Sequence, residues 1–144
     1  MSIPELHLQE QLIALIRAFG LHRPDQTPCG KPVAVAEAHA LMELAQAAPL
    51  SQNELAARLQ LEKSTVSRLV GILENRGWVA RARSAQDGRA RELRLTAAGQ
   101  QMATDLAEAR RTKFARVLAA IPDAERGAVF EALQILVEAI RESQ

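Results

Sequence analysis

The sequence has 144 residues and a single cysteine, Cys29. One thiol excludes an internal disulfide framework and fits a reducing compartment. No stretch approaches the roughly 18 to 20 apolar residues of a membrane span, so no membrane partner is expected. The opening residues, MSIPELHLQEQLIALIRAF, place acidic and polar groups where a secretory signal has a basic flank, and offer no small-residue cleavage site. The expectation is a soluble, cytoplasmic protein. Catalytic signatures are missing as well: there is no Gly-rich phosphate loop, no G-x-S-x-G and no H-E-x-x-H. Cys29 and His39 would supply a nucleophile and a base, but nothing in the sequence supplies an oxyanion site. No enzyme and no cofactor are expected. The length fits one domain, or a small domain with an extension.

What is present is a hidden asymmetry of charge. The formal net charge is +1. Between Arg58 and Arg94, however, nine Lys/Arg face four acids, so that window is +5 and the rest of the chain −4. A basic window on a neutral chain is the footprint of a nucleic-acid binder, or else a solvated arginine-rich surface.

Hydrophobic spacing marks the helices. Leu6, Leu12, Ile13, Ile16 and Phe19 line a first one, ending near Gly20. The connector HRPDQTPCGKP follows. A second helix is expected from about Val35 to Ala48, with Leu41, Leu44 and Ala45 inward and Pro49 closing it. Ser51 and Glu54 then have the spacing of a capping box, and Leu50 and Leu55 that of a hydrophobic staple. The short helix they start buries Leu55, Ala56 and Leu59. After Gln60 to Glu62 comes KSTVSRLVGILENRGWV, with Val66, Leu69, Val70 and Leu73 on one side. Its other side carries Ser64, Thr65, Ser67 and Arg68, where an ordinary exposed helix would carry Glu and Lys.

Two short helices around a tight turn suit a helix-turn-helix or an αα-hairpin. The following residues decide between them. Gly77 suits a helix C-terminus. Trp78, Val79, Leu93 and Leu95 then fall in two alternating runs around Asp87-Gly88, a turn dipeptide. A helix-turn-helix followed by an arginine-tipped hairpin is a winged helix. Beyond it, Thr96 caps a long helix to about Ala120, striped by Met102, Leu106, Phe114, Val117, Leu118 and Ile121. Pro122 and Asp123 restart the chain into a last helix lined by Val129, Phe130, Leu133, Leu136, Val137 and Ile140. The expected fold is mainly α with a small β-hairpin wing.

The major groove of DNA admits a helix, and its base edges are read by short polar side chains and by arginine. Ser64, Thr65, Ser67 and Arg68 lie on the two turns that meet bases in a recognition helix, with Lys63 at its start. Gly71 costs that helix about 1 kcal/mol relative to Ala, which close approach of another backbone would explain; the alternative is a glycine that is simply tolerated. Arg89 sits beside the hairpin tip, where a guanidinium enters a narrow minor groove. Arg81, Arg83, Arg91 and Arg94 flank it as phosphate contacts or solvated charges. Asp87 orients an arginine or bonds the turn backbone. Trp78 is read as a core anchor for the wing.

With these residues in place, Leu50 to Gly99 closely resembles the DNA-binding lobe of the MarR family of transcriptional regulators. Its wing signature, Asp-x-Arg followed by Leu-Thr-x-x-Gly, stands here as Asp87, Arg89, Leu95, Thr96 and Gly99. STVSRLV and the trio Leu73, Glu74 and Gly77 match too. The resemblance implies residues 1–34 as a dimerisation helix and connector, 35–98 as the winged lobe and 99–144 as further dimerisation helices. It implies a homodimer, probing double-stranded DNA at a pseudo-palindromic operator as a repressor, and a crevice for a small-molecule effector. By that likeness Arg89 enters the minor groove and Ser64 to Arg68 face the major one. The dimer has a physical argument too, since apolar stripes on the first and last helices need a cover that a second copy provides.

The switch is less legible. His22, Cys29 and His39 lie within eighteen residues and are candidates for sensing, by metal or by thiol oxidation. Their spacing matches no standard ligand pattern, so no metal site is assigned. The rival to a DNA-binding regulator is a winged-helix protein-interaction module that does not bind DNA.

Overall fold

The computed structural model describes residues 2–86, 88 and 91–144. Its backbone divides into two units, residues 1–109 and 110–144. The first holds α1 (Ile3–Phe19), α2 (Val35–Ala47), α3 (Gln52–Leu59), α4 (Lys63–Asn75), the strands β1 (Val79–Arg83) and β2 (Arg91–Leu95), and the start of α5 (Ala97–Ala120). The second holds the rest of α5 and α6 (Asp123–Glu142). The fold is mainly helical with one antiparallel hairpin, a winged helix. Among the described residues, no helix is long and apolar enough to cross a membrane.

Local chemistry sets the boundaries. α1 starts where Glu5 accepts a hydrogen bond from the Ser2 backbone N–H at 2.9 Å. It stops at Gly20, whose φ of +94° carries the chain into the left-handed region that glycine reaches without strain. At α3, Ser51 Oγ accepts from the Glu54 N–H at 3.0 Å. That is the serine half of the expected capping box. The returning bond from Ser51 to the Glu54 carboxylate does not form among the described residues. Both staple residues, Leu50 and Leu55, are buried. Leu50 has a further role: its backbone exchanges two hydrogen bonds with Leu93, at 3.2 and 2.7 Å, adding an isolated bridge to the hairpin edge. The turn between α3 and α4 contains no glycine, and Gln60 takes its left-handed position at φ +56°.

The end of α4 is closed by the backbone. Gly77 N–H donates to the Glu74 carbonyl and Trp78 N–H to the Leu73 carbonyl, the paired bonds of a Schellman motif. The chain then enters β1, paired with β2 in the register Val79↔Leu95, Arg81↔Leu93 and Arg83↔Arg91. Thr96 Oγ1 accepts from the Gly99 N–H at 3.1 Å, capping α5 as expected.

The core draws on every element of the lobe. Leu41 and Leu44 of α2, Leu55 of α3, and Val66, Leu69, Val70 and Leu73 of α4 meet Val79 and Leu93 of the hairpin and Ala103 and Leu106 of α5. The α4 stripe is buried in full, as its spacing predicts. On α2 one position departs from expectation. Ala45 is exposed, and Ala38 and Ala40 are buried in its place. Ala45 has the helical phase of Leu41 and Ala38, yet it stays exposed while Ala47, further along α2, packs against the core. Phase alone does not bury a side chain; something must lie over it.

In the second unit α6 buries no residue, and neither does α1 in the first. Phe130, Leu133, Val137 and Ile140 remain exposed along α6, with Phe114, Val117 and Leu118 on the last turns of α5.

Candidate nucleic-acid interface

Burying Val66, Leu69, Val70 and Leu73 turns the other side of α4 outward. Lys63, Ser64, Ser67 and Arg68 are exposed and Thr65 is half-buried. None of these five side chains forms a hydrogen bond or ion pair among the described residues. The helix therefore offers hydroxyls and two cations, on its first two turns, to whatever lies outside. Ile72 is also exposed, at 47%. The stripe pattern gave no warning of that apolar side chain on the outer surface.

The structure sorts the basic window into two sets. Four of its nine cations are held by carboxylates: Arg58 by Glu43 at 3.3 Å, Arg76 by Glu37 at 2.6 Å, Arg81 by Glu74 at 2.8 Å and Arg94 by Glu92 at 3.6 Å. Lys63, Arg68, Arg83 and Arg91 have no such partner among the described residues. The ninth, Arg89, lies outside the described residues, as does Asp87. Arg81, expected as a phosphate contact or a solvated charge, has its guanidinium engaged by Glu74 on α4.

Arg83 and Arg91 face each other directly across the hairpin. Like charges opposite one another destabilise a strand pair, so the far end of the hairpin favours an anion between or beside them. By strand alternation both lie on the face that carries Val79 and Leu93 into the core and Arg81 to α4.

The Leu-Thr-x-x-Gly run acts inside the lobe. Thr96 Oγ1 donates to the Gly77 carbonyl, and Thr96 N–H donates to the Trp78 carbonyl at 3.0 Å. Gly99 lies against the same peptide: a Cβ there would stand 2.0 Å from the Trp78 carbonyl oxygen. Threonine and glycine together fasten the start of α5 to the point where α4 turns into the wing. Trp78 itself packs against the core, as expected of an anchor. Gly71 behaves differently. A Cβ at Gly71 would meet nothing within 4 Å, so no neighbouring backbone among the described residues explains the glycine.

The proposed sensing residues do not converge. His22 and His39 are exposed and Cys29 is half-buried. Among the described residues, no group of three or more His, Cys, Asp or Glu is arranged to hold a metal ion.

The sequence profile of the MarR family matches residues 32–90, the segment from the end of the connector through β1, stopping before β2. A MarR family protein from Bacillus stearothermophilus superimposes with a TM-score of 0.70 at 26% identity, over 98% of this chain and 99% of that one. The match to the MarR family model covers most of the winged lobe, and the likeness to the solved structure covers the fold of the whole chain. Two further structures share the MarR fold. Streptococcus pneumoniae FabT, in complex with DNA, gives a TM-score of 0.74 at 19% identity, over 99% and 97% of the two chains. The PcaV transcriptional regulator of Streptomyces coelicolor, in complex with its natural ligand, gives 0.69 at 24% identity, over 93% and 92%. No curated protein matches the sequence.

One residue that sequence reasoning passed over is Glu37. It is charged yet buried, and Leu41 and Leu44 follow it at i+4 and i+7 on the same helical face. A carboxylate in phase with two core leucines is the signal that could have found it.

Proposed function

We propose that the protein is a transcriptional repressor that binds a pseudo-palindromic operator as a homodimer and is released by a small-molecule, redox or metal signal. The observation that carries the DNA reading is the sorting of charge. Within the basic window, the cations left without a carboxylate among the described residues are Lys63 and Arg68 on the outer face of α4 and Arg83 and Arg91 on the wing. Arg68 suits a guanine edge bidentately, and Ser64, Thr65 and Ser67 suit base edges or phosphates. Lys63, Arg83 and Arg91 serve as phosphate contacts, and Arg89 is assigned to the minor groove. The DNA complex of the similar FabT structure supports this reading.

The dimer is supported by the exposed apolar residues of α1, α5 and α6, which a second copy would cover. Residues 1–34 and 99–144 are assigned to that role, and 35–98 to DNA. Pairing would set two recognition helices about 34 Å apart, one turn of DNA. The ligand complex of PcaV supports a small-molecule effector, and Cys29, His22 and His39 remain the sensing candidates of this chain.

A gel shift with duplex from the protein's own upstream region, repeated at rising salt, tests the assignment. A regulator making many phosphate contacts loses affinity steeply as salt rises. Absence of a specific shift at every salt concentration would instead favour a protein-interaction module.

A further inference from the structure

Three side chains meet where α4 gives way to the wing. Arg76, the last residue before Gly77, reaches back to Glu37 on the first turn of α2, with Nε 2.6 Å from Oε2 and a second guanidinium nitrogen donating to Oε1 at 3.4 Å. The Glu37 side chain is only 8% exposed, whereas Arg76 is 40% exposed. Glu37 Oε2 receives no well-directed hydrogen bond, so a buried carboxylate depends on this one guanidinium for its compensation. The same guanidinium lies over the Trp78 ring, 4.8 Å from its centroid, in the range of a cation–π contact. Trp78 is in turn fixed by Thr96 and Gly99.

We infer that Glu37, Arg76 and Trp78 form a positioning latch that sets the angle of α4 and the hairpin against α2, and hence how both meet DNA. The inference rests on the DNA reading above and deepens it. An exposed ion pair would hold little. Here the carboxylate is buried and cannot turn to water instead, so the pair resists any rotation of α4 that separates its end from α2. The stacked tryptophan gives the same guanidinium a second anchor at the root of the wing. Two elements that must enter neighbouring grooves are therefore referenced to one point. Arg76 acts through geometry and not by touching the nucleic acid.

The test uses the full chain and a duplex enriched by the parent protein from a randomised pool. E37Q keeps the shape of the side chain and removes its charge; R76Q removes the guanidinium; R76K keeps the charge without the flat fork. Each variant is expected to bind that duplex about three- to tenfold more weakly, with the salt slope of the parent, because no phosphate contact is lost. Trp78 is the only tryptophan, and its emission should shift in R76Q and E37Q as the cation leaves the ring. Should E37Q fail to fold, R76K carries the same comparison. Unchanged affinity in the folded variants overturns the latch while leaving the DNA reading intact. A salt slope reduced by about one in R76Q also overturns it, since Arg76 would then be a phosphate contact. If the parent enriches no duplex, the DNA reading itself fails and the latch falls with it.

Discussion

α4 and α6 are both helices with an apolar stripe at helical spacing, and they end in opposite states. The stripe of α4 is buried in full. α6 buries nothing, and Phe130 is 57% exposed. Hydrophobic residues at the right intervals specify which face seeks cover, but not what supplies it. For α4 the cover is α2, α3 and the hairpin of the same chain. For α6 it must come from elsewhere, which is why the apolar stripe supports a second copy.

The sharpest way to break this comparison is to truncate one leucine on each helix. Leu73→Ala is expected to cost the lobe about 2–5 kcal/mol in denaturant unfolding, because it opens a cavity in a fully packed core. Leu133→Ala should change unfolding of the dilute protein by under about 0.5 kcal/mol and weaken self-association measured by sedimentation. Equal effects on unfolding would mean that α6 is already covered within one chain. Next in size is Gly99→Ala, which forces a methyl group against the Trp78 carbonyl. Overpacking of this kind costs about 1–3 kcal/mol, and an unchanged midpoint would remove Gly99 from the joint between α4 and α5.

A third contrast lies within the basic window. Arg68→Ala should cost about 1–3 kcal/mol of binding and relax base preference at one position, read by competition with single-base operator variants. Arg81→Ala, whose guanidinium is engaged by Glu74, should leave base preference unchanged. The reverse pattern would mean that the ion pairs do not separate structural cations from reading ones. The smallest effect is expected at Gly71. With open space around it, Gly71→Ala should raise lobe stability by up to about 1 kcal/mol. A loss of DNA affinity in the same variant would show that an outside backbone needs the missing side chain.

Much of the lobe was legible because its signals are local. Caps at Ser51 and Thr96, the stop at Gly77 and the alternation of Val79, Leu93 and Leu95 each act over a few residues, and each element formed as they indicated. The failures were of reach. Ala45 had the correct phase and no cover. The carboxylate partners of Arg58 and Arg76 stand 15 and 39 residues away, beyond any local pattern, so the sorting of cations was invisible. At the candidate site, the sequence distinguished the polar face of α4 from its core face, but not the arginines already engaged by acids.

Residue order alone determined where helices and strands begin and end, and which side of each is apolar, because those depend on backbone hydrogen bonds and periodicity within a few turns. Tertiary structure decided which charges remain uncompensated, why residue 99 must lack a side chain and which apolar faces stay open. Those outcomes depend on distances between groups remote in the chain, and only folding sets such distances.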